Sequence, residues 1–291
     1  MPARIFLSPT SALVLLWDRN ASYRSRLSRR YLSLLDLTAG KKLFAACHKI
    51  WPHYAENIRN RKYCIFELAK NALRREMQVV ILGAGIAPLS RELQSHFTGT
   101  KIFDIDLSLM SVKKRLVEKV LPRQSAICFV TADASNLRQL SGNLSAAGWE
   151  KKKPSLVIIE GLSYYIFQKS LRGIFELFRS TNRQNQVIVE YLVPAEEILK
   201  ERRRVPGQVI AAIAGECGDF QATRYSHRDL AGMAKTVERF RMNGMEKFRI
   251  GRNLYFPTGR SGWIETISKK GKLFFCEKPK LQISELMHFA F

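Results

Sequence analysis

The sequence predicts an α/β fold: a mainly parallel sheet with helices on both faces, preceded by an N-terminal helical cap. Three observations predict it. From residue 77 onward, short runs rich in Val and Ile alternate with amphipathic stretches. The first of these runs breaks into a Gly-Ala-Gly turn at 83–85. Before residue 77, apolar and basic positions recur at three- and four-residue spacing, the helical period. A chain of 291 residues that is 46% hydrophobic holds enough apolar material for one large α/β domain or two small ones.

Taken in order, the chain begins with "SALVLLW" (11–17), which follows Arg4 as a secretory core would. Pro9 precedes it and no small-residue cleavage site follows, so export is not expected. No run approaches the ~20 apolar residues of a membrane helix. Three helical segments follow: "SYRSRLSRRYLSLLDL" (22–37), "KKLFAACHKIW" (41–51) and "IRNRKYCIFELAKNALRR" (58–75). Residues 19–75 carry 14 basic and 3 acidic side chains, so 14 minus 3, or +11, of the chain's net +23 lies here. Such a surface suits RNA, an acidic protein or a lipid head group, and equally a solvated basic face, because charge alone names no partner.

The strands come next. "MQVVILG" (77–83), "TKIFDIDL" (100–107), "AICFVTAD" (126–133), "PSLVIIEG" (154–161) and "NQVIVEYLV" (185–193) read as buried strands. Between them "SRELQSHF", "SLMSVKKRLVEKVL", "SNLRQLSGNLSAAGW" and "SLRGIFELFRST" read as helices, which makes the strands parallel. Residues 1–76 are therefore read as the cap and 77–291 as the sheet domain, with an insertion at about 194–225 marked by Pro194 and Pro206. "SHRDLAGMAKTVERF" (226–240) predicts a last crossover helix, and "FRMNGMEKFRI" with "SGWIETISKK" an antiparallel hairpin closing the sheet.

Ligands of such sheets bind beyond the carboxyl ends of the strands, at the point where strand order reverses. The phosphate loop G-x-x-x-x-G-K-[ST] is absent. Gly83 and Gly85 fit the start of a dinucleotide fingerprint, but Pro88 stands at its third glycine, which argues against a dehydrogenase. What remains is a turn that admits a ligand to the backbone, with Asp104 and Asp106 at the end of the next strand. A carboxylate there accepts both hydroxyls of a ribose. No pyrophosphate is required if the ligand is a nucleoside such as S-adenosylmethionine; the bland alternative is a turn with solvated aspartates.

"RNRKY" (59–63), "QVVILGAG" (78–85), "FDIDL" (103–107), "ADASN" (132–136) and "IEGLSYYI" (159–166) stand in this order. In these motifs the chain resembles the leucine carboxyl methyltransferase family, over roughly residues 55–195. The resemblance implies a Rossmann-like class I methyltransferase fold with a seven-stranded sheet, and S-adenosylmethionine as cofactor with S-adenosylhomocysteine as product. It implies that Arg61, or alternatively Arg59, binds the methionine carboxylate, in the two-oxygen geometry that suits a guanidinium. Gly83, Ala84 and Gly85 would admit the methionine and ribose portion, Asp106 helped by Asp104 would hold the ribose, and Asp133 with Ala134 would meet the adenine. Glu160 would sit near the amino group and sulfonium, and Tyr164 and Tyr165 would line the approach to the methyl. Each has a structural alternative: Arg61 as a surface cation, Asp133 as a helix cap, Glu160 as a loop carboxylate, the tyrosines as core. Ala87, Pro88 and Leu89 depart from the family's Asp, Thr or Ser, and Arg.

The activity implied is O-methylation of a carboxylate on a small-molecule, carrier-bound or protein C-terminal acceptor. Alternatives are a carboxyl on a tRNA nucleoside, which suits the basic cap, and a non-catalytic binding protein of the same fold. A carboxylate is already an ionised nucleophile at neutral pH and needs no general base. A hydroxyl acceptor would need one, for which His227 and Glu190 are the candidates. "GLSYY" is not the hydrolase elbow G-x-S-x-G. His48 and His53 lie on different helix faces, so no metal is expected. Five scattered cysteines without a C-x-x-C pair fit a reducing compartment, and a cytoplasmic location is expected.

Overall fold

The computed structural model describes residues 4–18, 22–23, 25–120, 126–178, 185–198, 200–218, 221–226 and 228–230, and the backbone of strands at 246–250, 273–276 and 284–290. The chain opens with strand β1 (Ile5–Phe6) and helix α1 (Pro9–Asp18). Helix α2 (Arg26–Ser33) starts at Ser25, whose hydroxyl accepts the Ser28 N–H. The segment expected to be helical through residue 37 ends early, because β2 (Leu35–Asp36) turns out to pair in parallel with β1. Helices α3 (Lys41–Ile50) and α4 (Tyr54–Ala72) follow, separated by Pro52, which has no N–H to continue α3.

The alternating region runs β3 (Gln78–Leu82), α5 (Leu89–His96), β4 (Ile102–Asp106), α6 (Met110–Val120), β5 (Ile127–Thr131), α7 (Leu137–Ala146), β6 (Ser155–Ile159), α8 (Gln168–Phe178) and β7 (Gln186–Leu192). The insertion after β7 contains α9 (Val205–Cys217), with Pro206 in its first turn, where a missing N–H costs nothing. β8 (Glu246–Ile250), β9 (Leu273–Cys276) and β10 (Ser284–Ala290) follow.

The main sheet has the order β10-β7-β6-β3-β4-β5, parallel throughout except for β10, which runs antiparallel to β7. Among the described residues it therefore has six strands, not the seven expected. The expected closing hairpin falls in part outside the described residues; among them a single antiparallel strand, β10, covers the free edge of β7, while β8 and β9 pair in parallel in a sheet of their own. The helix expected at 226–240 lies outside the described residues from 231 onward, as does the "SGWIETISKK" segment.

Side chains alternate cleanly across the sheet. Val79, Ile81, Ile102, Leu156, Ile158 and Ile188 enter one core, and Val80, Leu82, Phe103, Ile105, Val157 and Ile159 the other. Both faces are covered, which is why the strands read as continuous apolar runs. The first core also takes in Leu15 of α1, Tyr31 of α2 and Ile65, Leu68 and Ala72 of α4, so the N-terminal helices share the sheet's core. A further cluster joins Leu13 and Trp17 of α1, Leu43 and Cys47 of α3 and Val209 of α9. β3 has β4 on one side and β6 on the other, so the chain diverges there and a crevice opens between the carboxyl ends of β3 and β6.

Candidate active site

The turn after β3 forms one wall of that crevice. Gly83 has φ +68°, and a Cβ there would lie 3.0 Å from the Leu162 Cβ. Glycine is thus required both for the left-handed backbone and for close approach of the loop after β6. The Gly85 N–H donates to Asp106 Oδ2 at 3.0 Å, and the Ser108 N–H donates to Oδ1 at 3.2 Å. Asp106 thereby ties the turn to the end of β4 and keeps lone pairs on each oxygen.

Behind the turn, Asp104 is withdrawn from the crevice. It is fully buried, paired with Lys113 Nζ at 2.8 Å and with the Ser90 hydroxyl at 2.5 Å. Lys113 also donates to the Ala84 carbonyl at 3.3 Å. Asp104 shares a strand face with Asp106, but α5 and α6 cover its position. Expected to help hold a ribose, it is instead buried, and its partner Lys113 reaches the turn at Ala84.

At the centre, α4 carries two adjacent cations inward. Arg61, only 8% exposed, donates to Glu160 Oε1 at 3.1 Å and to Glu190 Oε1 at 3.3 Å. Lys62 donates to the same Glu160 oxygen at 3.0 Å and to the Tyr23 hydroxyl at 3.0 Å. The second Glu190 oxygen accepts the Gly161 N–H at 2.9 Å. Burial drives the Glu160 carboxyl upward, but Lys62 and Arg61 together outweigh it and hold it below the ordinary range. Glu190 goes the other way: burial dominates, Arg61 offsets it only in part, and the carboxyl is raised. The Arg61 guanidinium loses solvation, yet Glu190 and Glu160 hold it charged. Its Nε is buried without a hydrogen-bond partner. Such an orphaned donor is uncommon, and an incoming acceptor could satisfy it.

Two cavities meet at this cluster. One, of about 790 Å³ counted to its open mouth, is lined by Gly83, Ala84, Gly85, Ile86, Lys62, Glu160 and Gly161. The other, about 710 Å³ on the same measure, is lined chiefly by Leu13, Val14, Trp17, Tyr54, Ile58, Ile210 and Ile213, with Glu190 in its wall. Thr10, Val14, Arg61, Tyr164 and Tyr165 line both, so the two form one bipartite cleft. Tyr164 is half-buried, its hydroxyl pushed upward by desolvation and then by Glu190, whereas Tyr165 is 49% exposed at the rim and not core.

Of the residues expected at the site, Arg61, Gly83, Ala84, Gly85, Glu160, Tyr164 and Tyr165 come together around this cleft. Arg59 does not: its Nε donates to the Trp17 carbonyl at 2.9 Å, closing the end of α1. Asp133, at the end of β5, accepts the Ser135 N–H and hydroxyl on Oδ1, and Asn136 rather than Asp133 caps α7. Ala134 is buried beside it. His227 lies outside the described residues. The departures Ala87 and Leu89 line the glycine-side cavity, and Pro88 stands at the start of α5.

Sequence reasoning missed three features. Helix α1, read as a signal-like apolar run, is a wall of both cavities; its shortness for a membrane span was the available clue. Lys62 sits inside "RNRKY" and was passed over, since neighbours on a helix point about 100° apart. Leu107, beside Asp106, is 69% exposed, an apolar side chain left open at the strand end. Among the described residues, no group of three or more His, Cys, Asp or Glu is placed to hold a metal. Nor is any helix among them long and apolar enough to cross a membrane.

The leucine carboxyl methyltransferase family model matches residues 19–178. No curated protein matches the sequence. Among solved structures, a candidate methyltransferase of Thermobifida fusca YX is 13% identical, with 91% of this chain and 93% of that one covered and a TM-score of 0.61. A DUF574 family protein of Streptomyces avermitilis MA-4680 is also 13% identical, with 96% of each chain covered and a TM-score of 0.62. At this identity the likeness speaks to the fold alone. The mixed α/β architecture is shared with these two structures.

Proposed function

The chain belongs to the leucine carboxyl methyltransferase family, and on that premise we propose that it transfers the methyl group of S-adenosylmethionine to an oxygen of a small, largely apolar acceptor. The observation that carries this reading is the bipartite cleft: a glycine-walled half with buried charges and an apolar half, joined at Arg61, Tyr164 and Tyr165.

The residues of the first half fit the donor. Arg61 offers a carboxylate a buried guanidinium whose Nε lacks a partner. Glu160, held ionised by Lys62 and Arg61, suits an ammonium and a neighbouring sulfonium. Asp106 retains lone pairs for ribose hydroxyls, Asp133 Oδ2 faces no described donor and suits the adenine amino group, and exposed Leu107 would cover an aromatic face. When bound, the cofactor supplies an electrophilic methyl on a sulfonium and leaves as S-adenosylhomocysteine.

The chain's own contribution is positioning and dryness. Leu13, Val14, Trp17 and Ile58 close the second half against water, which favours a displacement that merges opposite charges. The family resemblance puts carboxylates, whether on a small molecule, a carrier or a protein C-terminus, among the acceptors to test beside hydroxyls. Calorimetric titration tests the reading. Heat is expected with S-adenosylmethionine and S-adenosylhomocysteine; saturable binding of NAD with none for the sulfonium pair would overturn it.

A further inference from the structure

The apolar half of the cleft is unusual in what it offers a polar acceptor. Its walls are Leu13 and Trp17 from α1, Ile58 from α4, and Ile210 and Ile213 from α9. Among the described residues its only cationic lining residue is Arg61, already shared by Glu160 and Glu190 and, on the reading above, claimed by the donor's carboxylate. Among the described residues the only carboxylate in its lining is Glu190. An acceptor carboxylate entering here would lose its hydration beside a second anion, with no free cation among the described lining residues to offset either. Burying an unpaired charge is costly. A neutral hydroxyl faces no such cost, but it needs a base.

Resting on the proposed methyl transfer, we infer that the acceptor is an uncharged, hydrophobic alcohol or phenol and that Glu190 is the general base that takes its proton. The hydroxyl proton passes to a Glu190 oxygen and the acceptor oxygen forms a bond to the methyl carbon. The methyl–sulfur bond breaks, its electron pair remains on sulfur, and an ether and S-adenosylhomocysteine result. Each Glu190 oxygen accepts one hydrogen bond, from Arg61 or from Gly161, which leaves a lone pair on each. Among the described residues the groups facing Glu190 are Arg61 and Tyr54 from α4 and Glu160 and Tyr164 from the loop after β6, and the lining residues of α1 and α9 bring no ionisable side chain. Burial raises the Glu190 carboxyl toward the range in which a base works best near neutrality.

The test uses the full chain loaded with S-adenosylhomocysteine and paired probes of one skeleton: para-butylphenol against para-butylbenzoic acid, and decanol against decanoic acid. Calorimetry near neutral pH is expected to show the hydroxyl probes binding at least about tenfold more tightly than the acids. With labelled S-adenosylmethionine, the methylated product is expected to survive mild alkali as an ether, whereas a methyl ester would release methanol. Glu190→Gln, assayed at saturating S-adenosylmethionine, should lower turnover about a hundredfold or more and remove the acidic limb of the pH–rate profile, with Glu190→Asp recovering part of it. Acids that bind as well as their hydroxyl partners, an alkali-labile product, or no binding of either probe class would overturn the inference while leaving the family reading in place. Absence of heat with S-adenosylhomocysteine itself would take down both. The binding and product arms need no variant, so a misfolded Glu190→Gln does not shelter the idea.

Discussion

Replacing Arg61 with Leu removes two buried ion pairs at once, at 3.1 Å to Glu160 and 3.3 Å to Glu190. The two carboxylates are not left equal. Glu160 keeps Lys62 at 3.0 Å, whereas Glu190, 1% exposed, keeps only the Gly161 N–H. One orphaned charge rather than two places the loss at the lower end of the range for broken buried pairs, about 3 kcal/mol near pH 8. The loss should depend on pH. Glu190 already has a raised folded-state value, and losing Arg61 raises it further. A raised carboxyl contributes stability that is complete below its unfolded value and is lost as pH climbs through the folded one, so the variant can shelter by taking up a proton in acid. Glu160, held low partly by Arg61, contributes above its unfolded value, and losing that guanidinium adds to the deficit on the same alkaline side. The deficit should therefore grow from about pH 5 to about pH 8, by at most about 1.4 kcal/mol per unit for each titrating carboxyl. Urea unfolding of both proteins at the two pH values measures it. An equal deficit at both, or one under about 1 kcal/mol, would refute the view of Arg61 as the keystone cation for Glu190.

Other outcomes follow from the same geometry. Gly83→Ala must hold φ +68° and bring its Cβ to 3.0 Å from Leu162, whereas Gly85→Ala meets nothing nearer than 3.9 Å. Thermal unfolding should show the first losing more, by about 1 to 2 kcal/mol, and equal losses would argue against the close approach. Asp104→Ala strands Lys113 in the interior and should cost about 3 to 5 kcal/mol of stability. Asp106→Ala and Asp133→Ala should instead spare the fold and weaken S-adenosylmethionine binding about ten- to a hundredfold, and the reverse pattern in calorimetry and urea unfolding would exchange their roles. Arg26, Arg29 and Arg30 are exposed on α2, so reversing all three to Glu should leave S-adenosylmethionine affinity nearly unchanged and abolish any tRNA binding. Tight tRNA binding by the unmodified chain near about 150 mM salt, with methyl transfer to the RNA, would instead promote a nucleic-acid acceptor.

The sequence by itself determined the order of strands and helices from β3 to β7, because a strand buried on both faces must be apolar throughout, as "QVVIL" and "SLVII" are. It also marked the glycine turn, since a backbone at φ +68° selects for glycine locally. It could not separate Asp104 from Asp106. Both share a strand face and a residue type, and only the packing of Ser90 and Lys113 over one of them assigns it to the interior. Nor could it choose between Arg59 and Arg61, two residues apart on α4, until the helix was rotated against α1 and the sheet so that one meets Trp17 and the other Glu160 and Glu190. Helix α1 carried no functional signal beyond its shortness for a membrane span, because a wall is made by apolar side chains that any core would accept. The closing strand escaped for a related reason: edge pairing of β10 with β7 is a long-range contact, with no local pattern to announce which distant segment will supply it. Local conformation and burial are written residue by residue; which charges meet, and in whose company, is decided when segments far apart in the chain are packed into one low-dielectric site.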